Sequence, residues 1–218
     1  PSSMLSDGSI VKTAIKRMNN INYGYTEILD YIPSNVYTAE FVNEILSKAG
    51  NNFHGIFNHI PIEMRTRKLW EKACDDDYYY LTQLPNNNFD PNISQEEYDS
   101  WIEDLIIRKI SENPDNILSI FKILDDDKKT VSICQKAAEI ISVGKNGIEA
   151  SNLLEHIPEN CRTQLLYETL VTKSSKVLKS IPLESFVSDI SQEEYDKWFE
   201  NLISQSIANV QDIDALYY

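Results

Sequence analysis

An all-α fold follows from three features of this sequence. Apolar residues recur at helical spacing, one type of helix-start signal returns along the chain, and a long segment repeats itself at a fixed offset. Alternation at period two, the mark of a half-buried strand, is absent over any useful length. The 218 residues are 42% hydrophobic and 25% charged, enough to bury a core without disulfides or metal. Only 6 glycines and 8 prolines are present, too few for a β-sandwich rich in tight turns.

Taken in chain order, the elements are marked by their starts. The amino-terminal segment is crowded with Tyr23, Tyr25, Tyr31 and Tyr37, and Ile32-Pro33 within it is followed by Thr38. Proline ends one helix by lacking an amide donor and by restricting the residue before it. The threonine hydroxyl then accepts a bond from an orphan amide of the next helix. Phe41, Val42, Ile45, Leu46 and Ala49 give that next segment one apolar face. Pro61 and Thr66 repeat the signal, and so do Pro158 and Thr163. Leu124 with Thr130 is a looser form, followed by Val131, Cys134, Ala137, Ala138 and Ile141 at helical spacing. Ser94-x-x-Glu97 and Ser191-x-x-Glu194 are capping boxes, each predicted to open a long helix. Tyr98, Trp101, Ile102, Leu105, Ile106 and Ile110 line one face of the first.

The repeat is explicit. Residues 59–112 match residues 156–209 without a gap, with about 22 identities. His59-Ile60-Pro61 returns as His156-Ile157-Pro158, and Arg65-Thr66 as Arg162-Thr163. ISQEEYD at Ile93–Asp99 returns unchanged at Ile190–Asp196, followed by Trp101 and Trp198 respectively. An internally duplicated helical-repeat domain is therefore expected, with two copies offset by 97 residues. The first unit would cover residues 1–117 together with the amino-terminal helices and the second 118–218, around one continuous core.

Charge and motifs narrow the function. A net charge of −14 and no strong local basic run argue against nucleic acid or an anionic membrane as partner. No apolar run is long enough to span a bilayer, and no basic-then-apolar leader opens the chain. A start at Pro1 and an abrupt stop at Tyr218 read as an excised domain. Cys74, Cys134 and Cys161 are odd in number and widely spaced, which suits buried thiols in a reducing compartment. Dinucleotide, phosphate-loop, zincin and serine-hydrolase motifs are missing, so no catalytic residue, cofactor or metal ligand is expected.

Residues shared by both copies are read as carrying the fold, since both copies must fold while one suffices for a site. On that basis Glu96, Glu97 and Asp99 cap a helix, His59 and His156 cap or pack, and Trp101 and Trp198 belong to the core. Arg65 and Arg162 read as solvated arginines ahead of a cap rather than phosphate ligands. Asp75–Asp77 and Asp125–Asp127 lack the alternating oxygens, central glycine and closing glutamate of a calcium loop, and read as solvated loops. What remains is aromatic: the tyrosines of the amino-terminal segment, and Tyr78-Tyr79-Tyr80 where the second copy has Ser175-Lys176-Val177. Tyrosine offers a flat face for stacking and a hydroxyl for orientation, as a planar ligand or a protein partner requires.

With its Ile-Pro…Thr signals, its asparagine- and lysine-rich composition and its tandem copies, the chain resembles repeat domains of bacterial secreted effectors. In particular it resembles the KLAMP domain of Legionella effectors related to the SidE family. That resemblance covers the whole chain and implies a non-catalytic module binding an adenine nucleotide, of the cyclic AMP or ADP class, by a pair of stacking tyrosines. Carried onto this sequence, the pair is Tyr23 and Tyr31. It further implies translocation into a host cell's cytosol. Docking of a host protein along the helical surface is the alternative, and a monomer is expected in either case.

Overall fold

A computed structural model describes residues 8–17, 28–50, 52–141, 148–184 and 190–209. The fold is all-α, with no strand among these residues. The α-helices are α1 (Gly8–Arg17), α2 (Ala39–Ser47), α3 (Phe53–Phe57), α4 (Arg67–Asp76), α5 (Gln95–Glu112), α6 (Ile117–Ile123), α7 (Val131–Ile140), α8 (Ile148–Glu155), α9 (Gln164–Lys173) and α10 (Gln192–Asn209). They fall into two compact units, one within Pro1–Tyr80 and Leu84–Tyr98, the other within Leu81–Gln83 and Asp99–Tyr218.

One local module builds much of the fold. A buried aliphatic residue is followed by a residue in polyproline geometry, a single 3-10 turn, and a threonine that caps an α-helix. The buried residues are Ile32, Ile60, Leu124 and Ile157. The turns are Ser34–Val36, Ile62–Met64, Asp126–Lys128 and Glu159–Cys161. The Oγ of Thr38, Thr66, Thr130 and Thr163 accepts from the amide of Phe41, Leu69, Ile133 and Leu166 at 3.3, 3.4, 3.3 and 3.1 Å. The looser Leu124/Thr130 instance has the same conformation as the others. Asp125 sits at φ −63°, ψ 147°, beside −58°, 142° for Pro33 and −56°, 146° for Pro158. Proline pre-sets that geometry; at Asp125 its carboxylate, 3.2 Å from the Lys128 ammonium, ties the turn instead.

The capping boxes form at both predicted places. The amide of Glu97 donates to Ser94 Oγ at 3.1 Å, and the Ser94 amide donates back to the Glu97 carboxylate at 3.0 Å. At Ser191 and Glu194 the same two bonds measure 3.3 and 2.9 Å. Tyr98 and Tyr195, fully buried one turn into α5 and α10, donate their hydroxyls to Pro85 and Pro182 carbonyls at 2.7 and 2.8 Å. Trp101 and Trp198 differ from the core placement expected of them: both are half-buried. The tyrosines take the core position, and the Trp198 indole N–H reaches out to the Glu168 carboxylate at 2.7 Å.

In the first unit, Ile15 of α1, Leu29, Ile32, Tyr37, the inward face of α2, and Ile56 and Ile60 close one hydrophobic cluster, with Met64 and Leu69 packed at its edge. Gly50, at φ 50°, turns the chain after α2 in a conformation that a side chain would strain. In the second unit α9 packs on α7, α8 and α10, and α6 packs on α8.

Candidate functional site

The tyrosines left over by the repeat separate into three kinds. Tyr37 and Tyr80 are core residues. The Tyr37 hydroxyl donates to the Leu29 carbonyl at 3.3 Å, and burial with Asp30 nearby pushes its pKa up to about 12. Tyr80 lies parallel to the His54 ring with centroids 5.3 Å apart, and edge-on to Phe57. Tyr31 and Tyr79 are different: they are 61% and 53% exposed. Tyr31 ends the 3-10 turn at residues 28–31. Tyr23, its expected partner, and Tyr25 lie outside the described residues.

A groove of about 400 Å³ opens in the same unit between α2 and α4. Val42, Met64 and Leu69 give it an apolar floor, and Asn43, Lys68 and Lys72 stand on its walls. The positions follow from the helix geometry. Val42 and Asn43 are successive residues of α2, one facing the core and the next exposed. Lys68 and Lys72 are four apart on α4 and therefore share a face. Among the described residues neither lysine makes an ion pair; Lys72 lies over the Phe53 ring, 4.3 Å from its centroid. The first turn of α4 adds amide dipoles of the same sign. Glu63 lines the groove as well, so in a chain of net charge −14 two lysines and one carboxylate stand here beside apolar surface.

Several residues set aside in the sequence make structural contacts that bear on what they can bind. Arg65 and Arg162 are half-buried and bonded to backbone. Arg65 Nε donates to the Ile60 carbonyl at 2.8 Å and Arg162 Nε to that of Ile157 at 3.0 Å, closing the end of the preceding segment. Arg65 also lies over the Phe57 and Trp70 rings, and burial lowers its pKa. Its Nη2 also donates to the Asn58 carbonyl at 3.2 Å, so part of the guanidinium fork is committed to backbone. Lys48 is committed too, to the Ile15 carbonyl at 2.7 Å. His59 Nδ1 pairs with Asp30 at 2.8 Å. Asp77 caps the turn Tyr78–Gln83 by accepting from the Tyr79 amide at 2.9 Å, and Asp126 pairs with Lys129, whose stem is buried. Among the described residues no three His, Cys, Asp or Glu side chains converge as metal ligands would. Cys74, Cys134 and Cys161 are buried thiols.

Sequence reasoning singled out tyrosines and missed Asn43, Lys68 and Lys72. A signal existed for the lysines: within the repeat, Lys68 and Lys72 face Leu165 and Thr169, so they are as particular to the first copy as the tyrosine triplet. Among the described residues no helix is long and apolar enough to cross a membrane. Compared with protein-family models, curated proteins and solved structures, the chain matches none.

Proposed function

We propose that this chain is a non-catalytic module that binds an adenine nucleotide of the cyclic AMP or ADP class. The observation that carries the reading is the α2–α4 groove, whose apolar floor and lysine wall suit a flat base joined to a phosphate. The resemblance to effector repeat domains implies a stacking pair, Tyr23 and Tyr31; Tyr31 is exposed in the same unit, though it does not line the groove. Within the same reading the module belongs to a secreted effector and works in the host cytosol. Thermal melting with and without millimolar ADP, ATP, AMP and cyclic AMP tests it, because a ligand of the folded state raises the midpoint. One of these nucleotides should raise it, and no shift with any of them overturns the reading. Stacking of a base on an aromatic ring contributes about 1–3 kcal/mol, so Tyr31→Ala and Tyr23→Ala should each weaken binding about tenfold or more. Phenylalanine at either position should keep most of the affinity. Unchanged affinity in both alanine variants removes the tyrosines from the site.

A second reading, a scaffold docking a host protein, is favoured by Val131 and Leu165. They stand 45% and 58% exposed at the starts of α7 and α9, which pack on one another. Exposed aliphatics on helices that pack together are material for a protein contact when they form one patch. A melt unmoved by nucleotides, with a host-protein complex abolished by Val131→Asp and Leu165→Asp, would establish that reading.

A further inference from the structure

The two units each hold a pair of successive threonine-capped helices, α2 with α4 and α7 with α9. Counted from their caps, the residues facing across each pair correspond. Val42 and Asn43 of α2 answer to Cys134 and Gln135 of α7; Met64 and Lys72 answer to Cys161 and Thr169. In the second pair these positions are joined. Gln135 Nε2 donates to Thr169 Oγ at 2.9 Å, and at the other two positions the buried Cys134 is joined by Cys161, whose thiol donates to the Lys129 carbonyl at 2.9 Å. In the first pair the same four positions line the groove. Asparagine is one methylene shorter than glutamine, and the wall opposite carries a lysine in place of a threonine. Lys68, the other cation of the groove, answers to the apolar Leu165. One architecture is therefore bridged shut in one unit and open, with two cations added, in the other. Neither the cap nor the 3-10 turn explains those lysines, although Lys72 also lies over the buried Phe53 ring.

From this difference we infer that the α2–α4 groove is a ligand site for a flat organic anion, held one per chain. Its ring lies on Val42, Met64 and Leu69, and its phosphate or sulfonate sits between Lys68 and Lys72. The inference rests on the binding-module reading but not on adenine. Charge complementarity selects the occupant: Lys68 and Lys72 against the single Glu63 carboxylate give the groove a net positive charge in an otherwise acidic protein, and an anion gains from it.

The test uses 8-anilinonaphthalene-1-sulfonate as a planar anionic probe, with ADP and uncharged adenosine as competitors. Two variants copy the second unit into the first: Asn43→Gln with Lys72→Thr, which restores the bridge, and Lys68→Leu, which removes an exposed cation. The unmodified chain should bind the probe saturably at one molecule per chain. The bridging double variant should lose at least about tenfold in affinity, as for loss of a charge-assisted contact. Lys68→Leu should weaken binding several-fold and flatten its salt dependence. Circular dichroism checks that helicity is kept, and Lys68→Leu decides alone if the double variant unfolds. Saturable binding indifferent to the variants, or no saturable binding, overturns the groove as the site. Probe binding that the variants abolish but ADP does not displace leaves the groove standing and removes the adenine reading. ADP binding that survives both variants does the reverse.

Discussion

At the scale of single residues, the chain uses polar groups mainly to close backbone ends, and the cost of ionising them follows from where they sit. Tyr195 is fully buried with its hydroxyl on the Pro182 carbonyl, and its pKa is pushed up to about 12, chiefly by burial, with Tyr167 and Asp196 adding. Tyr37 is raised to a similar value. A raised tyrosine pKa means that the neutral hydroxyl is favoured by the fold. Stability is then whole below the ordinary value of 10.0 and is lost as pH climbs from there toward 12, because the unfolded chain ionises first. Absorbance titration near the phenolate band should show two hydroxyls ionising about two pH units late, in step with loss of helicity. Tyr195→Phe should remove part of the alkaline instability and cost about 1 kcal/mol at neutral pH, the usual worth of one hydrogen bond. Loss of helicity that begins well below pH 10 would sink this account. These roles were partly legible in the sequence. Tyr98 and Tyr195 sit on the apolar stripe, but which aromatic of Tyr-x-x-Trp goes deepest depends on a carbonyl thirteen residues away, at Pro85 or Pro182, and no local spacing encodes that.

At the scale of elements, helix starts are the best-encoded feature. Thr38, Thr66, Thr130 and Thr163, with Ser94 and Ser191, were readable because a cap is decided within four residues of chain. Short helices depend on such caps more than long ones, since α4, α7 and α9 have ten residues each and lie below the length at which an isolated helix is stable. Thr163→Ala should therefore lower stability by about 1 kcal/mol, and Thr163→Ser should restore most of it. Denaturant melts of the two variants measure this, and an alanine variant as stable as the parent would show the cap to be dispensable. The 3-10 turns were not foreseen as elements. Four residues stand between a proline and its capping threonine, three of them in the turn; so short a run has no period to detect, and its shape is imposed from both ends. The arginines were misread for a related reason: solvated in the linear view, Arg65 and Arg162 bond carbonyls five residues back because the turn folds them over the end of the preceding segment. The groove was invisible because its walls come from α2 and α4, and their separation depends on the side chains between them.

At the scale of the whole molecule, charge is the property most open to test. A formal charge of −14 on 218 residues makes the folded state repel itself, while local pairs such as Lys128 with Asp125 and Lys129 with Asp126 pull the other way. Added salt screens both. It acts most on charges farther apart than the screening length, which falls from about 30 Å at 0.01 M to about 8 Å at 0.15 M. The pairs are close, at 3.2 and 2.8 Å, and their lysines are buried, so they are screened least. Pairs with one exposed partner contribute on the order of 0–1 kcal/mol each. The distributed repulsion of an excess of fourteen negative charges, 34 acidic against 20 basic residues, should dominate. Sodium chloride raised from about 0.01 to about 0.15 M should therefore raise the melting temperature. The same salt should weaken the hold of Lys68 and Lys72 on an anion, so stability and ligand affinity should move in opposite directions. A melting temperature that falls with salt would mean that the specific pairs outweigh the net charge. In that case Lys128→Met and Lys129→Met, which keep the buried stems and remove the ammonium groups, should abolish the fall.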